Sequence, residues 1–104
     1  KVEIKVKRTE DGNIIQSTTE NVGVGGVALI LDKSLDRFSI CELRFKPSPE
    51  DAEIVCAGKV MWIVPMKDAH GRKTRYDVGI EFTGLAEEDA ERIRAAVEEF
   101  SKSN

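Results

Sequence analysis

Three stretches of this chain alternate apolar and polar residues strictly in pairs. Val2, Ile4 and Val6 interleave with Lys1, Glu3, Lys5 and Lys7. Cys41, Leu43 and Phe45 interleave with Glu42 and Arg44, and Tyr76, Val78, Ile80 and Phe82 with Asp77, Gly79 and Glu81. A period of two puts successive side chains on opposite faces of an extended backbone, so each stretch reads as a strand with one buried face. The longest candidate, residues 53–65, puts Ile54, Cys56, Gly58, Val60, Trp62 and Val64 on one inward face. A polar, Thr-rich strand over residues 14–20 and a continuous apolar one over residues 26–31 bring the number to six.

The punctuation fits short antiparallel connections. Glu10-Asp11-Gly12-Asn13 carries the Asp-Gly hairpin signal, and Asp32 to Asp36 turns the chain. Pro47-Ser48-Pro49 ends a strand because proline cannot donate to a ladder. Residues 66–73 form a polar hairpin loop around His70-Gly71. After that the period changes to three and four. Ala86, Ala90, Ile93, Val97 and Phe100 lie on one stripe of a helix, with Glu87 and Glu88 in its first turn and Glu88 facing Arg92 at i,i+4. The pattern predicts a mainly β fold: a six-stranded antiparallel barrel plugged by a C-terminal α-helix.

A chain of 104 residues suffices for one domain, residues 1–104, with its own core. It opens at Lys1 inside a strand pattern, which reads as a domain cut from a longer chain or lacking its leader. No apolar run is long enough to span a bilayer as a helix. A net charge of −3 argues against a nucleic-acid polymer as partner, though a small anion could still be held locally. Cys41 and Cys56 fall in apolar runs and read as buried reduced thiols of a cytoplasmic protein, with a disulfide as the alternative. With the single His70 they lack the spacing of a metal site.

The segment Asn21-Val22-Gly23-Val24-Gly25-Gly26-Val27 does not fit a plain strand. It is not a dinucleotide-binding turn, because a β-rich run follows it and no helix does. It is not a P-loop, because Val27-Ala28 stand where Lys-Ser/Thr is required. Two readings remain, and they are compatible. One is a β-bulge or corner, with Asn21 and the glycines in left-handed conformations. The other adds a use: bare glycine amides forming an anion-receptive nest, with the Asn21 amide beside them.

Taken together, the order of elements resembles the PilZ domain family, bacterial receptors for cyclic di-GMP. The residues that carry the resemblance are Asn21-Val22-Gly23-Val24-Gly25-Gly26, then Gly58-Lys59-Val60-Met61-Trp62, then Tyr76-Asp77-Val78-Gly79-Ile80-Glu81-Phe82 before the helix. The family motif D/N-x-S-x-x-G is matched at Asn21 and Gly26, with Gly23 in the serine position. The resemblance implies cyclic di-GMP as ligand, in some members an intercalated dimer. Asn21 would meet a guanine edge, Gly23, Gly25 and Gly26 would let the ligand approach the backbone, and Trp62 would lie beside it. It further implies a stacking, forked-arginine RxxxR motif in the N-terminal segment. This chain has no such motif; the only arginine before Asn21 is Arg8.

Two functions follow. One is a regulatory domain coupling cyclic di-GMP, through an upstream arginine segment, to a neighbouring domain or partner. The other is a degenerate interaction module that recruits a protein without nucleotide, in motility, pilus or exopolysaccharide control. Lys5, Lys7 and Arg8 read as a solvated strand face or a cationic lip. No nucleophile–base arrangement or paired carboxylates suggest an enzyme, and no cofactor is implied.

Overall fold

The computed structural model describes residues 2–67, 70–71 and 74–102, with side chains in the terminal helix as far as Glu98. The strands are β1 (Glu3–Arg8), β2 (Ile14–Val22), β3 (Gly26–Leu31), β4 (Ile40–Phe45), β5 (Ile54–Lys67) and β6 (Thr74–Phe82), followed by helix α1 (Glu87–Lys102). All neighbours are antiparallel and the sheet closes in the order β1-β2-β3-β6-β5-β4. The closing seam pairs Val6 with Leu43 and Ile4 with Phe45. Closure leaves no free sheet edge, which is how a small all-β domain avoids edge-to-edge association.

Alternation decides what fills the barrel. Ile4 and Val6, Leu29 and Leu31, Leu43 and Phe45, and Val78 and Ile80 all point inward and are buried. The Asp-Gly hairpin forms as its sequence predicts. Gly12 takes φ 72°, its N–H donates to the Arg8 carbonyl at 2.9 Å, and Asp11 accepts from the Asn13 N–H at 3.0 Å. Cys41 and Cys56 are buried free thiols, diagonal neighbours across β4 and β5, since Cys41 pairs with Gly58 and Leu43 with Cys56. Burial pushes the Cys41 thiol up to about 11, helped by Cys56. Burial likewise pushes Cys56 up to about 11, helped by Asp89.

One departure from the pattern matters for the outer surface. Along β5 the predicted inward face holds through Ile54, Cys56, Gly58 and Val60 and then inverts. Val60 pairs with Ile80 but Trp62 with Gly79, so Met61 is an inserted residue. A bulge of one residue sends every later side chain to the opposite face. Ile63 therefore packs against the core, while Trp62 and Val64, expected inside, are on the outside.

The helix docks by part of its stripe. Ala90 and Ile93 are buried, but Val97 is exposed, and Phe100 lies outside the described side chains. The expected Glu88–Arg92 pair does not form. Arg92 pairs instead with Asp89 at 3.0 Å and donates to the Ala52 carbonyl. That contact pins α1 to the β4–β5 connection, at the barrel end where Phe45 and Phe82 stack with centroids 5.8 Å apart.

Candidate functional site

With the barrel filled by its own side chains, a ligand has to bind outside, and an outer site needs a place where side chains are missing. The register of three adjacent strands supplies one. Ala28 on β3 pairs with Gly79 on β6, and Gly79 pairs with Trp62 on β5. One step along, Gly26 pairs with Glu81 and Glu81 with Lys59. The small residues in these rows leave an open groove of about 370 Å³.

All five residues singled out from the sequence, Asn21, Gly23, Gly25, Gly26 and Trp62, line this groove. Trp62 reaches it because of the Met61 bulge, and its ring rests on Gly79. A methyl on Gly79 would collide with Cδ2, Cε2 and Cζ2 of the indole. The ring is 46% exposed, covered beneath and open above. Val27, Ala28, Met61, Ile80 and Glu81 complete the lining and were not singled out from the sequence as site residues. Glu81 could have been, because the alternation of β6 sends it outward. Met61 could not, because its place depends on a bulge defined by the partner strand.

The glycines serve a different purpose from the one expected. Positive φ occurs at Gly12, Gly71 and Phe38 among the described residues, so Asn21, Gly23, Gly25 and Gly26 are not left-handed. The glycine amides are therefore not presented by left-handed residues. The Gly23 N–H donates to the Gly26 carbonyl at 3.0 Å, and the Phe82 N–H donates to the Gly25 carbonyl at 3.0 Å. These bonds tie the β2–β3 connection to itself and to β6. Gly26 is bare because β6 comes too close: a methyl there would strike the Ile80 carbonyl oxygen. At Gly23 and Gly25 a methyl would meet nothing within 4 Å. Their bareness relieves no clash within the protein and leaves main chain accessible at the groove wall. The expected bulge exists, but earlier, between Thr19 and Asn21, where β2 slips against β3.

Two neighbouring segments border the site. The chain start lies alongside β2: the Val2 N–H donates to Thr19 Oγ1 at 3.0 Å, and the Thr19 N–H donates to the Val2 carbonyl at 2.8 Å. The β3–β4 connection meets the Met61 wall, since Arg37 Nε donates to the Met61 carbonyl at 3.2 Å. In that connection Phe38 has φ 68°, a conformation that costs an L-residue about 1–2 kcal/mol. The suggested lip of Lys5, Lys7 and Arg8 is elsewhere, on β1. Arg8 lies 3.8 Å from both Glu10 and Asp11 of the hairpin.

Among the described residues, no three His, Cys, Asp or Glu side chains converge to hold a metal ion. No described helix is long and apolar enough to cross a membrane.

Comparison with solved structures agrees with the barrel-and-helix description. The chain superposes on K. pneumonia MrkH with a TM-score of 0.79 at 14% identity, covering 100% of this chain and 48% of that one. It superposes on the PilZ domain of Escherichia coli YcgR, solved with c-di-GMP, with a TM-score of 0.76 at 9% identity, covering 98% and 83%. For the Bacillus subtilis inhibitor of motility MotI/DgrA the values are 0.73 and 17%, covering 97% and 47%. The chain thus spans about half the length of MrkH and MotI/DgrA. No curated protein matches it in sequence. The PilZ domain family model matches residues 1–99, and the chain therefore belongs to the PilZ domain family.

Proposed function

We propose that this domain is a cyclic di-GMP receptor that regulates a neighbouring domain or partner protein, and that the ligand occupies the groove between β3, β6 and β5. The observation that carries this reading is the convergence of Asn21, Gly23, Gly25, Gly26 and Trp62 on one outer groove. The PilZ domain of YcgR and MrkH were both solved with c-di-GMP, which supports the choice of ligand.

The chemistry is complementary. Asn21 can donate to and accept from a guanine edge, and the Glu81 carboxylate can accept from the ring and amino N–H groups of guanine. The exposed indole of Trp62 offers a face for base stacking, an interaction worth about 1–3 kcal/mol per base. The open main chain at Gly23 and Gly25 admits close approach. An arginine segment joined ahead of Lys1 would enter beside Thr19, two residues before Asn21, and could fold over the ligand. Ordering such a segment only in the bound state would couple occupancy to whatever the segment touches. The domain would act in the cytoplasm as a receptor, with no catalytic step.

Calorimetry on the full-length protein tests this. Cyclic di-GMP should bind, and Asn21→Ala should weaken binding about tenfold, as expected for losing one or two buried hydrogen bonds. Absence of heat with the full-length wild type would refute the reading. The alternative, a PilZ-like module that recruits a protein without nucleotide, is favoured by Gly23 standing where the family motif has serine. A partner captured equally with and without cyclic di-GMP, and unaffected by Asn21→Ala, would establish it.

A further inference from the structure

We propose that Arg37 and Lys59, gathered on the ring of Phe38, form a phosphate-binding edge of the groove. This rests on the receptor reading for the identity of the ligand, but on separate residues and separate geometry.

The charge pattern poses the question. The groove lining contains one charged side chain, Glu81, which repels a phosphate. A doubly anionic nucleotide needs cations nearby. The described arginines Arg8, Arg44, Arg92 and Arg94 each face a carboxylate within ion-pair distance. Arg37 and Lys59 do not. Arg75 also lacks one, but it stands opposite Met66, farther along the β5–β6 hairpin from Gly79.

Arg37 and Lys59 converge on one aromatic ring. The Arg37 guanidinium carbon lies 4.7 Å from the Phe38 centroid, and Lys59 Nζ lies 5.6 Å from it. Two cations on one ring, neither in an ion pair, make a local excess of positive charge that a bound anion would relieve. Both are tied to the groove wall. Arg37 Nε donates to the carbonyl of Met61, a lining residue. Lys59 pairs across the sheet with Glu81, another lining residue. With Nε engaged and the guanidinium over the ring, the two terminal nitrogens of Arg37 keep an edge for the forked contact that phosphate favours.

Phe38 positions the pair. The Ser39 N–H donates to the Asp36 carbonyl at 3.1 Å, which puts Phe38 third in a β-turn. Its positive φ is what type II and I′ turns require there, and glycine or asparagine normally supply it. Phenylalanine is a costly choice at such a position, and its ring does not repay the cost by filling the core, since it remains 52% exposed. The Phe38 N–H donates to the Val60 carbonyl at 2.7 Å and the Val60 N–H to the Ser39 carbonyl at 3.0 Å. The turn is thereby locked against β5 next to the bulge that delivers Trp62.

The test uses the full-length protein with two probes, cyclic di-GMP and inorganic pyrophosphate, read by calorimetry and by amide chemical shifts. Arg37→Met should weaken cyclic di-GMP about tenfold or more, and Arg37→Met/Lys59→Met should also flatten the salt dependence of binding. Pyrophosphate should shift the amides of Ser39, Lys59 and Met61 in the wild type and not in the double variant. Phe38→Gly, compatible with the positive φ, should retain the fold by circular dichroism while losing affinity for both probes. If Asn21→Ala weakens cyclic di-GMP binding and the double variant binds like wild type, the phosphate edge is wrong and the receptor reading stands. If the wild type ignores cyclic di-GMP but shows the pyrophosphate shifts, the edge stands and the receptor reading falls. Silence toward both probes overturns both.

Discussion

Gly79→Ala tests the seat of Trp62 directly. The indole rests where the new methyl would be, and since the ring is half-exposed it would be displaced outward while the strand keeps its place. A tryptophan buries up to about 250 Å². With 46% of this one exposed, roughly 130 Å² would lose cover, which at about 25 cal/mol per Å² is about 3 kcal/mol. Alanine recovers about 0.5–1 kcal/mol relative to glycine in a strand, and the displaced ring regains some contact elsewhere. The net loss should be about 1–2 kcal/mol, or roughly 5–15 °C in Tm for a domain of this size. Trp62 is the only tryptophan, so its emission should shift to the red without ligand, and cyclic di-GMP should bind more weakly. A cycle with Trp62→Ala isolates the cause: once the indole is absent, Gly79→Ala should cost nothing further. Unchanged emission and Tm in Gly79→Ala would refute the seating, and equal costs in the presence and absence of the indole would refute its explanation.

Other outcomes follow from the same geometry. Gly26→Ala should destabilise by about 3 kcal/mol in urea titration, because the methyl meets the backbone of β6 and overpacking cannot be relieved by a rotamer. Gly25→Ala, with open space around it, should leave the urea midpoint within error yet reduce cyclic di-GMP affinity in calorimetry. Gly23→Ser, which restores the family's hydroxyl at an unobstructed position, should leave stability unchanged and tighten cyclic di-GMP binding several-fold; weaker binding would count against the groove. The two thiols, held at about 11 against an ordinary 9.0, stay protonated in the fold while the unfolded chain ionises. Their stabilising contribution should be complete below pH 9 and lost between about 9 and 11, which a fall in urea midpoint over that window, attenuated in Cys41→Ala, would register.

The barrel was legible because every strand but β2 and β5 keeps its period to the end, and a filled interior leaves alternation little freedom. The site was legible only in part. Asn21 and the glycines announced themselves by composition, but the reason for the glycines did not. A bare residue needed for left-handed φ and one needed because another strand comes close look the same in sequence, and the Ile80 carbonyl that decides the matter at Gly26 lies across the sheet. Trp62 was assigned to the wrong face because the extra residue at Met61 exists only relative to β6. Phe38 was hidden for the opposite reason. Local propensity gives no hint that a phenylalanine will occupy a glycine conformation, and only the lock to Val60 holds it there.

The bulge at Met61 links these features into one physical account. A strictly alternating β5 would turn Trp62 into a core already filled by Val60, Val78 and Ile80, and would leave Gly79 uncovered. Inserting one residue exchanges that for an indole outside, seated over Gly79, and for a free Met61 carbonyl that anchors Arg37. The same irregularity therefore brings an aromatic face and a guanidinium to the β5 side of a groove that Ala28 helps to line. Bulges near sites commonly re-aim a side chain; here the re-aimed residue also needs a glycine on the neighbouring strand to receive it. Deleting Met61 should accordingly do more than shorten β5: restoring the alternation would bury Trp62, release Arg37 and abolish both contributions to the groove together, whereas independent loss of one would show that they are built separately.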